Sequence, residues 1–442
     1  MTTRSTRRTF VQTTGVIGAG FRTILKTLAA PAVATFAGVR HVLGADRNEG
    51  LENEDVPAAG PMVGQVTSTL AAIWMYTPGG TSMKLTYKPQ GAVESSTAKV
   101  EPIKTDDLNL RGRAWRALIA DLAPNTRYQY EVAIDGKIAP EHHGTFKTAP
   151  VEGEPAKFRL GLTSCMKPKH SPDSWLLFAK DEPDLHLTIG DTVYADTTEP
   201  RWQWRHHLNY RRIEPFAKVI RTIPTYSMWD DHDYGPNNSD GTERGKHYSL
   251  DGWKRVWINP GAGTKDIPGA FYKFTWAQVE FFVVDGRYHR TPNKAKDDEK
   301  KTMLGHEQFA WLIEQLKASK AKFKVIVSGS TLDHSQNDGW RLYTHERRRL
   351  FDAIKSNKLN GVLYMSGSLH NSLAWEHHES DRVGYPFVEV ISSGIANSKT
   401  LSYATIDFDT TVSDPALHVR VVAGNGKVRE QKTWKLSTLS HG

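Results

Sequence analysis

Acidic residues, histidines and a single cysteine follow apolar stretches of this sequence at the points where those stretches end. The apolar run Leu185 to Ile189 is followed by Gly190 and Asp191, and a later run ends in a dense polar cluster from Asp230 to Asn237. Carboxylate oxygens suit hard cations and imidazole suits borderline ones, so these clusters have the composition of a metal site. We expect the segment from Asp184 to Asn238 to supply the central ligands.

Five residues are candidate metal ligands. Asp191 follows a glycine, which lets the backbone turn sharply where a strand ends. Tyr194 can add a phenolate, Cys165 a thiolate, His370 an imidazole and Asn237 a neutral amide oxygen. Carboxylate, phenolate, thiolate and imidazole together favour trivalent iron or a similar strong Lewis acid. Asp and Asn oxygens suit a Ca²⁺, Mg²⁺ or Mn²⁺ ion beside that first cation.

Three further residues are candidates for catalysis. Two or more cations can clamp the attacking and leaving oxygens of phosphoryl transfer. His232 could then donate a proton to the leaving group, with Asp231 beside it, and Arg287 could bind a phosphate through two parallel hydrogen bonds. Two alternatives stay open. Arg287 pairs with Asp285 or another nearby acid instead, and at least one aspartate between 230 and 233 is a cap or orients a ligand.

Residues 151–442 alternate apolar strands with helices, which favours an α/β domain whose helices cover a sheet. Among the predicted helices, Trp202 to Ile220 is one continuous element and His306 to Ser319 is amphipathic. The polar candidates fall at the carboxyl ends of predicted strands, where ligands bind in such sheets. We therefore expect residues that are distant in sequence to converge there.

Residues 62–150 have a different pattern, with short alternating runs separated by turn residues. This pattern predicts a β-sandwich. Residues 122–130 read LAPNTRYQY and resemble the L-x-P-x-T-x-Y-x-Y corner of fibronectin type III domains, and Asp135-Gly136 predicts a hairpin turn. The polar, Pro/Gly-rich residues 46–61 before this domain are interpreted as a linker.

Residues 1–45 resemble a twin-arginine export signal. They contain STRRTFV at positions 5–11, then a modestly apolar stretch that Arg22 and Lys26 interrupt. A transmembrane helix needs about 20 apolar residues in a row, so no stable membrane anchor is indicated. A basic disordered tail is the alternative. We expect the twin-arginine export machinery as a partner and a periplasmic or extracellular location.

Composition argues against a nucleic-acid-binding surface and against an intramolecular disulfide. The formal charge is +8, but residues outside the leader comprise 51 basic and 49 acidic side chains. No nucleic-acid-binding surface is evident, because such a surface needs a clustered basic face. Cys165 is the single cysteine, so no intramolecular disulfide can form. The alternative to a ligand role is that Cys165 is an inert, small hydrophobic residue.

The order of motifs resembles the PhoD-type alkaline phosphatases of the metallophosphoesterase superfamily. The motifs are SCM, GDTVYAD, PTYSMWDDHDYGPNN, VVDGRYHR, MLGHEQFAWL, SGSLHNS and FVEVISSGIAN, and the resemblance covers about residues 60–440. It implies a metallophosphoesterase core behind a β domain, with Fe³⁺ and Ca²⁺ as cofactors and a phosphate ester as substrate. Iron would be held by Cys165, Asp191, Tyr194 and His370, and Asp191 and Asn237 would reach calcium.

One position departs from that family. The S-G-D-x-H pattern of the last strand end is Ser366-Gly367-Ser368-Leu369-His370 here, so a hydroxyl replaces a charged ligand. The leading hypothesis is an exported phosphomonoesterase or phosphodiesterase that uses a metal-bound hydroxide, with activity reduced by Ser368. No G-x-S-x-G nucleophile motif is present. The alternative is a catalytically impaired relative that binds a phosphate ester or polyanion.

Overall fold

The computed structural model describes residues 57–105, 108, 112–167, 173–335, 337–397 and 400–442. The predicted export signal in residues 1–45 and most of the predicted linker therefore lie outside the described residues. The first strand begins at Ala59, ahead of the expected domain start at Met62. Within the described ranges, no helix is both long enough and apolar enough to cross a membrane.

The alternating runs after residue 57 form eight strands. These are β1 (Ala59–Val66), β2 (Ala71–Pro78), β3 (Met83–Pro89), β4 (Ser96–Thr97), β5 (Lys99–Ile103), β6 (Gly112–Ile119), β7 (Arg127–Ile134) and β8 (Lys137–Lys147). They build two antiparallel four-stranded sheets, of order β1-β2-β6-β5 and β4-β3-β7-β8. Ile73 of the first sheet shares a core with Val132 and Phe146 of the second.

The predicted hairpin turn of this β part is present, and a hydrogen bond marks the corner before β7. Asp135 and Gly136 form the turn between β7 and β8 with φ of 47° and 74°, the left-handed values of a two-residue hairpin. The Tyr128 hydroxyl accepts a hydrogen bond from the Ala123 N–H at 2.9 Å. This bond fixes the chain at the corner before β7.

The remaining chain alternates strands and helices. The strands are β9 (Lys157–Thr163), β10 (Leu185–Ile189), β11 (Thr225–Met228), β12 (Tyr272–Trp276), β13 (Val279–Val283), β14 (Phe323–Ser328), β15 (Val362–Ser366), β16 (Leu373–Glu376), β17 (Val388–Ile391), β18 (Ser402–Asp409), β19 (Ala416–Ala423) and β20 (Val428–Lys435). The helices are α1 (Ser174–Lys180), α2 (Pro200–Arg211), α3 (Glu214–Thr222), α4 (Asp231–Tyr234), α5 (Lys246–Val256), α6 (His306–Ala318), α7 (Thr344–Ser356) and α8 (Ser380–Val383).

These strands form two mixed six-stranded sheets, of order β11-β10-β9-β18-β19-β20 and β12-β13-β14-β15-β17-β16. The sheets share one core, in which Tyr226 of β11 stacks on Phe274 of β12 with ring centroids 4.1 Å apart. Strands β9, β10 and β11 run parallel, as do β13, β14, β15 and β17. Their carboxyl ends are the places where the predicted site residues lie.

The predicted continuous helix from Trp202 to Ile220 is wrong, because the chain breaks it between α2 and α3. Pro215 lies in the first turn of α3. A proline lacks the N–H that a helix interior needs and its ring clashes with the preceding turn, so it starts a new helix instead. Helix α5 and strand β16 have no counterpart among the predicted elements.

The buried carboxyl of Glu346 on α7 gives the fold a pH-dependent stability. It accepts hydrogen bonds from Thr302 Oγ1 at 2.7 Å and from the Met303 N–H. Burial raises the pKa of Glu346 from 4.5 to about 7. Between these two values the folded protein keeps a proton that the unfolded chain has lost, so the free energy of unfolding falls as pH rises.

Glu346→Gln is therefore expected to flatten this part of the stability profile and to raise the free energy of unfolding at pH 8 by on the order of 2 kcal/mol. Denaturant unfolding between pH 4.5 and 8 measures the effect. Glu314→Gln, at an exposed position on α6, is the control and should leave the slope unchanged. An unaltered slope in the Glu346 variant would contradict the expectation.

Candidate metal centre and active site

The carboxyl ends of β9, β10 and β15 bring three predicted ligands together. Cys165 Sγ, a carboxylate oxygen of Asp191 and a ring nitrogen of His370 all lie within 4.8 Å of one another. All three residues have positive φ, at 58°, 51° and 57°. Such a backbone conformation is uncommon outside glycine, costs on the order of 1 kcal/mol or more, and clusters at functional sites.

The surroundings of Asp191 fit a bound cation. Its side chain is buried, Cys165 Sγ lies 3.3 Å from Oδ2, and Oδ1 has no hydrogen-bond partner. Burial, and then the neighbouring Cys165, raise the pKa of Asp191 well above its ordinary value. A cation would compensate the buried charge, and the combined sulfur, nitrogen and oxygen donors suit a transition metal.

A second group of possible ligands shares Asp191 with the first. Oxygens of Asp191 and Asp231 and a ring nitrogen of His232 lie within 4.8 Å of one another. Asp231 Oδ2 accepts the N–H of Asn238 at 2.7 Å, so the backbone next to the exposed Asn237 is tied to this group. Asp191 therefore lies between two positions where cations could bind.

Tyr194 lies beside these groups and is almost fully buried. Its ring is 4.2 Å from that of His232, and its hydroxyl accepts a hydrogen bond from Asn397 Nδ2 at 2.6 Å. Burial, and then Cys165 and Asp191, raise the pKa of Tyr194. A metal ion would be required to hold this side chain as a phenolate at neutral pH.

Two residues that sequence reasoning missed hold the ligands in place. Asn397 Nδ2 also lies 2.7 Å from His370 Nε2, so this amide joins His370 to Tyr194. Ser393 Oγ donates to Cys165 Sγ at 3.1 Å and accepts the His370 N–H at 2.8 Å. Both residues lie in the SSGIAN segment after β17, and that position was the only sequence signal for them.

Asp233 fixes the backbone around the site, in line with the expectation that at least one aspartate between 230 and 233 is a cap or orients a ligand. It accepts the Val193 N–H at 2.7 Å and the Asp230 N–H at 3.1 Å, and burial raises its pKa to about 7. These bonds tie the segment after β10 to the segment after β11. Gly190 allows these two segments to lie close together, because it has φ of 87° and an added Cβ would lie 2.5 Å from Asp230 Cβ.

His232 has a carboxylate partner that the sequence did not reveal. Its Nδ1 lies 2.5 Å from Asp196 Oδ1. Burial lowers the pKa of His232, but the hydrogen bond to Asp196 and the charge of Asp231 outweigh burial and raise it overall. The imidazole is thus held in one orientation and favours the protonated form.

Arg287 is fully buried among acidic side chains. Its Nε donates to Asp230 Oδ1 at 2.7 Å, and its Nη2 contacts Asp338 and lies 3.7 Å from Asp231. In the structure, Arg287 therefore pairs with nearby acids, which is the alternative interpretation from the sequence. Its guanidinium is not placed to bind a phosphate through two parallel hydrogen bonds, and it holds Asp230 and Asp231 instead.

Ser368 lies at the end of β15 with φ of 62° and is half-buried. The preceding Gly367 packs closely against the neighbouring strand ends, since an added Cβ would lie 2.5 Å from the Ile189 carbonyl oxygen. The backbone thus places Ser368 beside the end of β10.

A family model described as PhoD-like phosphatase matches residues 160–433. This chain belongs to the PhoD-like phosphatase family. The sequence resemblance is thereby confirmed, and the family is one of metal-dependent phosphoesterases. The matched residues include every candidate ligand and catalytic residue named above.

Among curated relatives of this PhoD-like chain, alkaline phosphatase D of Bacillus subtilis (strain 168) is 24% identical over 311 residues, which cover 58% of this chain and 53% of the relative. Purple acid phosphatase 21 of Arabidopsis thaliana is 24% identical over 228 residues, which cover 49% and 43%. The chain therefore spans about half the length of these relatives.

Two solved structures share the fold of this PhoD-like protein. A structure of PhoD superposes with a TM-score of 0.66 at 17% identity and covers 90% of this chain and 94% of its own. Purple acid phosphatase PPD1 from yellow lupin (Lupinus luteus) seeds gives 0.62 at 12% identity, covering 85% and 74%. The predicted mixed α/β fold is confirmed.

Proposed function

We propose that this chain is an exported, metal-dependent phosphoesterase that hydrolyses phosphomonoesters and phosphodiesters. The observation that carries the proposal is the group of Cys165, Asp191 and His370, whose ligand atoms lie within 4.8 Å of one another. Asp191 Oδ1 has no hydrogen-bond partner, which leaves it available to a cation. In the proposal, Fe³⁺ is held by these residues with Tyr194, and Ca²⁺ by Asp191 with Asn237. Membership of the PhoD-like family supports the same chemistry.

When bound, the metal ions would acidify a water molecule and neutralise charge on the phosphoryl oxygens. His232, oriented by Asp196, donates a proton to the leaving-group oxygen as the phosphorus–oxygen bond breaks. Asp231 is kept in place by the Asn238 N–H and by Arg287, so its carboxylate stays beside the imidazole. Arg287 has a positioning role in this scheme.

Turnover by metal-loaded protein tests the proposal. Protein loaded with iron and calcium is expected to hydrolyse an aryl phosphate monoester or diester, and chelation followed by reloading should remove and restore this activity. The second candidate function is binding of a phosphate ester or polyanion without hydrolysis, which Ser368 favours. Saturable binding of the ester by metal-loaded protein that never hydrolyses it would support that second function and overturn the first.

Ser368→Asp is expected to increase metal content and to raise kcat for an aryl phosphate about tenfold, because a carboxylate binds a cation more strongly than a hydroxyl does. Elemental analysis and turnover of the purified variant measure both effects. Ser368→Ala is the matched control, and it should differ little from the parent protein. If the Asp variant equals the parent protein in metal content and kcat, Ser368 limits neither metal binding nor turnover.

We also propose the domain organisation and location that the sequence predicts. Residues 1–45 are an export signal, 46–61 a linker, 62–150 a fibronectin III-like sandwich and 151–442 the metallophosphatase domain. The two four-stranded sheets and the Tyr128 corner support the third assignment. Fusion of residues 1–45 to a reporter that is active only after export tests the first, with Arg7→Lys/Arg8→Lys as the variant that should abolish export.

A further inference from the structure

Lys167 places a positive charge beside the candidate metal ligands. It lies two residues after Cys165, and its Nζ is 4.7 Å from the centre of the Tyr194 ring. In the part of the chain that the structure describes, no acidic side chain lies within ion-pair distance of this ammonium. Its contact with the tyrosine ring orients the charge without neutralising it.

The backbone around Lys167 is fixed to the site. The Met166 N–H donates to the Asp191 carbonyl oxygen at 2.8 Å, and the Lys167 N–H donates to the Ala396 carbonyl oxygen at 3.2 Å. Ala396 precedes Asn397, whose amide contacts both Tyr194 and His370. Lys167 therefore carries its charge beside Tyr194, one of the candidate ligands.

Arg287 does not serve as a cationic partner for the substrate phosphate. Its guanidinium is fully buried and shared among Asp230, Asp231 and Asp338, so it has no free donor pair for a substrate phosphate. A phosphate ester that enters a site rich in carboxylates is attracted by a further positive charge besides the metal ions. Lys167 is half-buried and supplies such a charge beside Tyr194.

We propose that Lys167 binds a non-bridging phosphoryl oxygen of the substrate and gives the enzyme a preference for phosphomonoesters over phosphodiesters. A monoester dianion carries one more negative charge than a diester, and a lysine ammonium attracts phosphate as a point charge. The inference rests on the proposed function, since it concerns recognition at the same site.

The test compares Lys167→Met and Lys167→Gln with the parent protein, all as full chains loaded with metal. For an aryl phosphate monoester, kcat/KM is expected to fall about tenfold, mainly through KM, and for the matched diester no more than about threefold. Lys167→Arg should retain most of the monoester activity because it keeps the charge. Lys137→Met, at an exposed position of the β part, is the control and should change neither rate.

A second readout does not depend on turnover. The dissociation constant of inorganic phosphate, measured by calorimetry on metal-loaded protein with matched metal content, should rise about tenfold in both neutral variants. Equal changes for both esters, or unchanged phosphate binding, would overturn the role of Lys167 while leaving a hydrolysing parent protein as the proposed enzyme. Phosphate binding that depends on Lys167 in a parent protein without turnover would support the ligand role and overturn the proposed function.

Discussion

Replacing Asp191 with Asn is expected to remove bound metal and to reduce kcat/KM for an aryl phosphate about a thousandfold or more. Asp191 contributes an oxygen to both groups of possible ligands, so one substitution weakens both cation positions. An amide has the shape of the carboxylate but lacks its charge, and the loss of a charged ligand weakens the binding of a cation. Elemental analysis and turnover under identical loading conditions measure the two effects.

The metal-free form of this variant is expected to be at least as stable as the metal-free parent. Burial and neighbouring acids already disfavour the charge of Asp191, and the amide removes that charge. Asp266→Asn, at an exposed loop position, is the control for the substitution itself. Retention of metal and of activity within threefold of the parent would show that Asp191 is not a central ligand.

Arg287→Met is expected to reduce the free energy of unfolding by about 3–5 kcal/mol, because it leaves a buried group of carboxylates without its central cation. Asp230 and Asp338 lie in direct contact with the guanidinium, and both are buried. Although burial opposes it, the charges of Arg287 and Arg290 hold the pKa of Asp338 at about 2. Denaturant unfolding of the metal-free proteins at pH 7 measures the loss.

The deficit of the Arg287 variant should shrink as pH falls. Without the guanidinium the folded-state pKa values of Asp230 and Asp338 rise, and protonation below these values removes the unpaired charge. Arg348→Met, which removes an exposed partner of Glu379, is the matched control and should cost less than about 1 kcal/mol. Equal losses in the two variants would mean that the buried network does not stabilise the fold.

The convergence of three candidate ligands could be predicted from the sequence because its signals are local. Cys165, Asp191 and His370 each follow a buried apolar run, and the carboxyl ends of parallel strands meet at one edge of a sheet. The alternation of strands and helices likewise predicted the α/β part. The break before Pro215 was also visible in the sequence, and the prediction of one helix gave too little weight to a residue that cannot occupy a helix interior.

The supporting contacts could not be predicted in the same way. Asn397, Ser393 and Asp196 lie within the quoted motifs, but their roles depend on which strand ends lie beside them. Arg287 allowed two interpretations from sequence, since a phosphate ligand and a buried ion-pair partner have the same side chain. Only its complete burial among three aspartates distinguishes them.

Anomalous diffraction from crystals of metal-loaded protein, recorded above and below the iron absorption edge, shows whether Cys165, Asp191 and His370 hold iron. We predict a peak at bonding distance from Cys165 Sγ, a carboxylate oxygen of Asp191 and a ring nitrogen of His370, with roughly 2.0–2.3 Å to each donor. An empty position there in crystals that bind iron elsewhere, for example at the group formed by Asp333, His377 and His378, would contradict it.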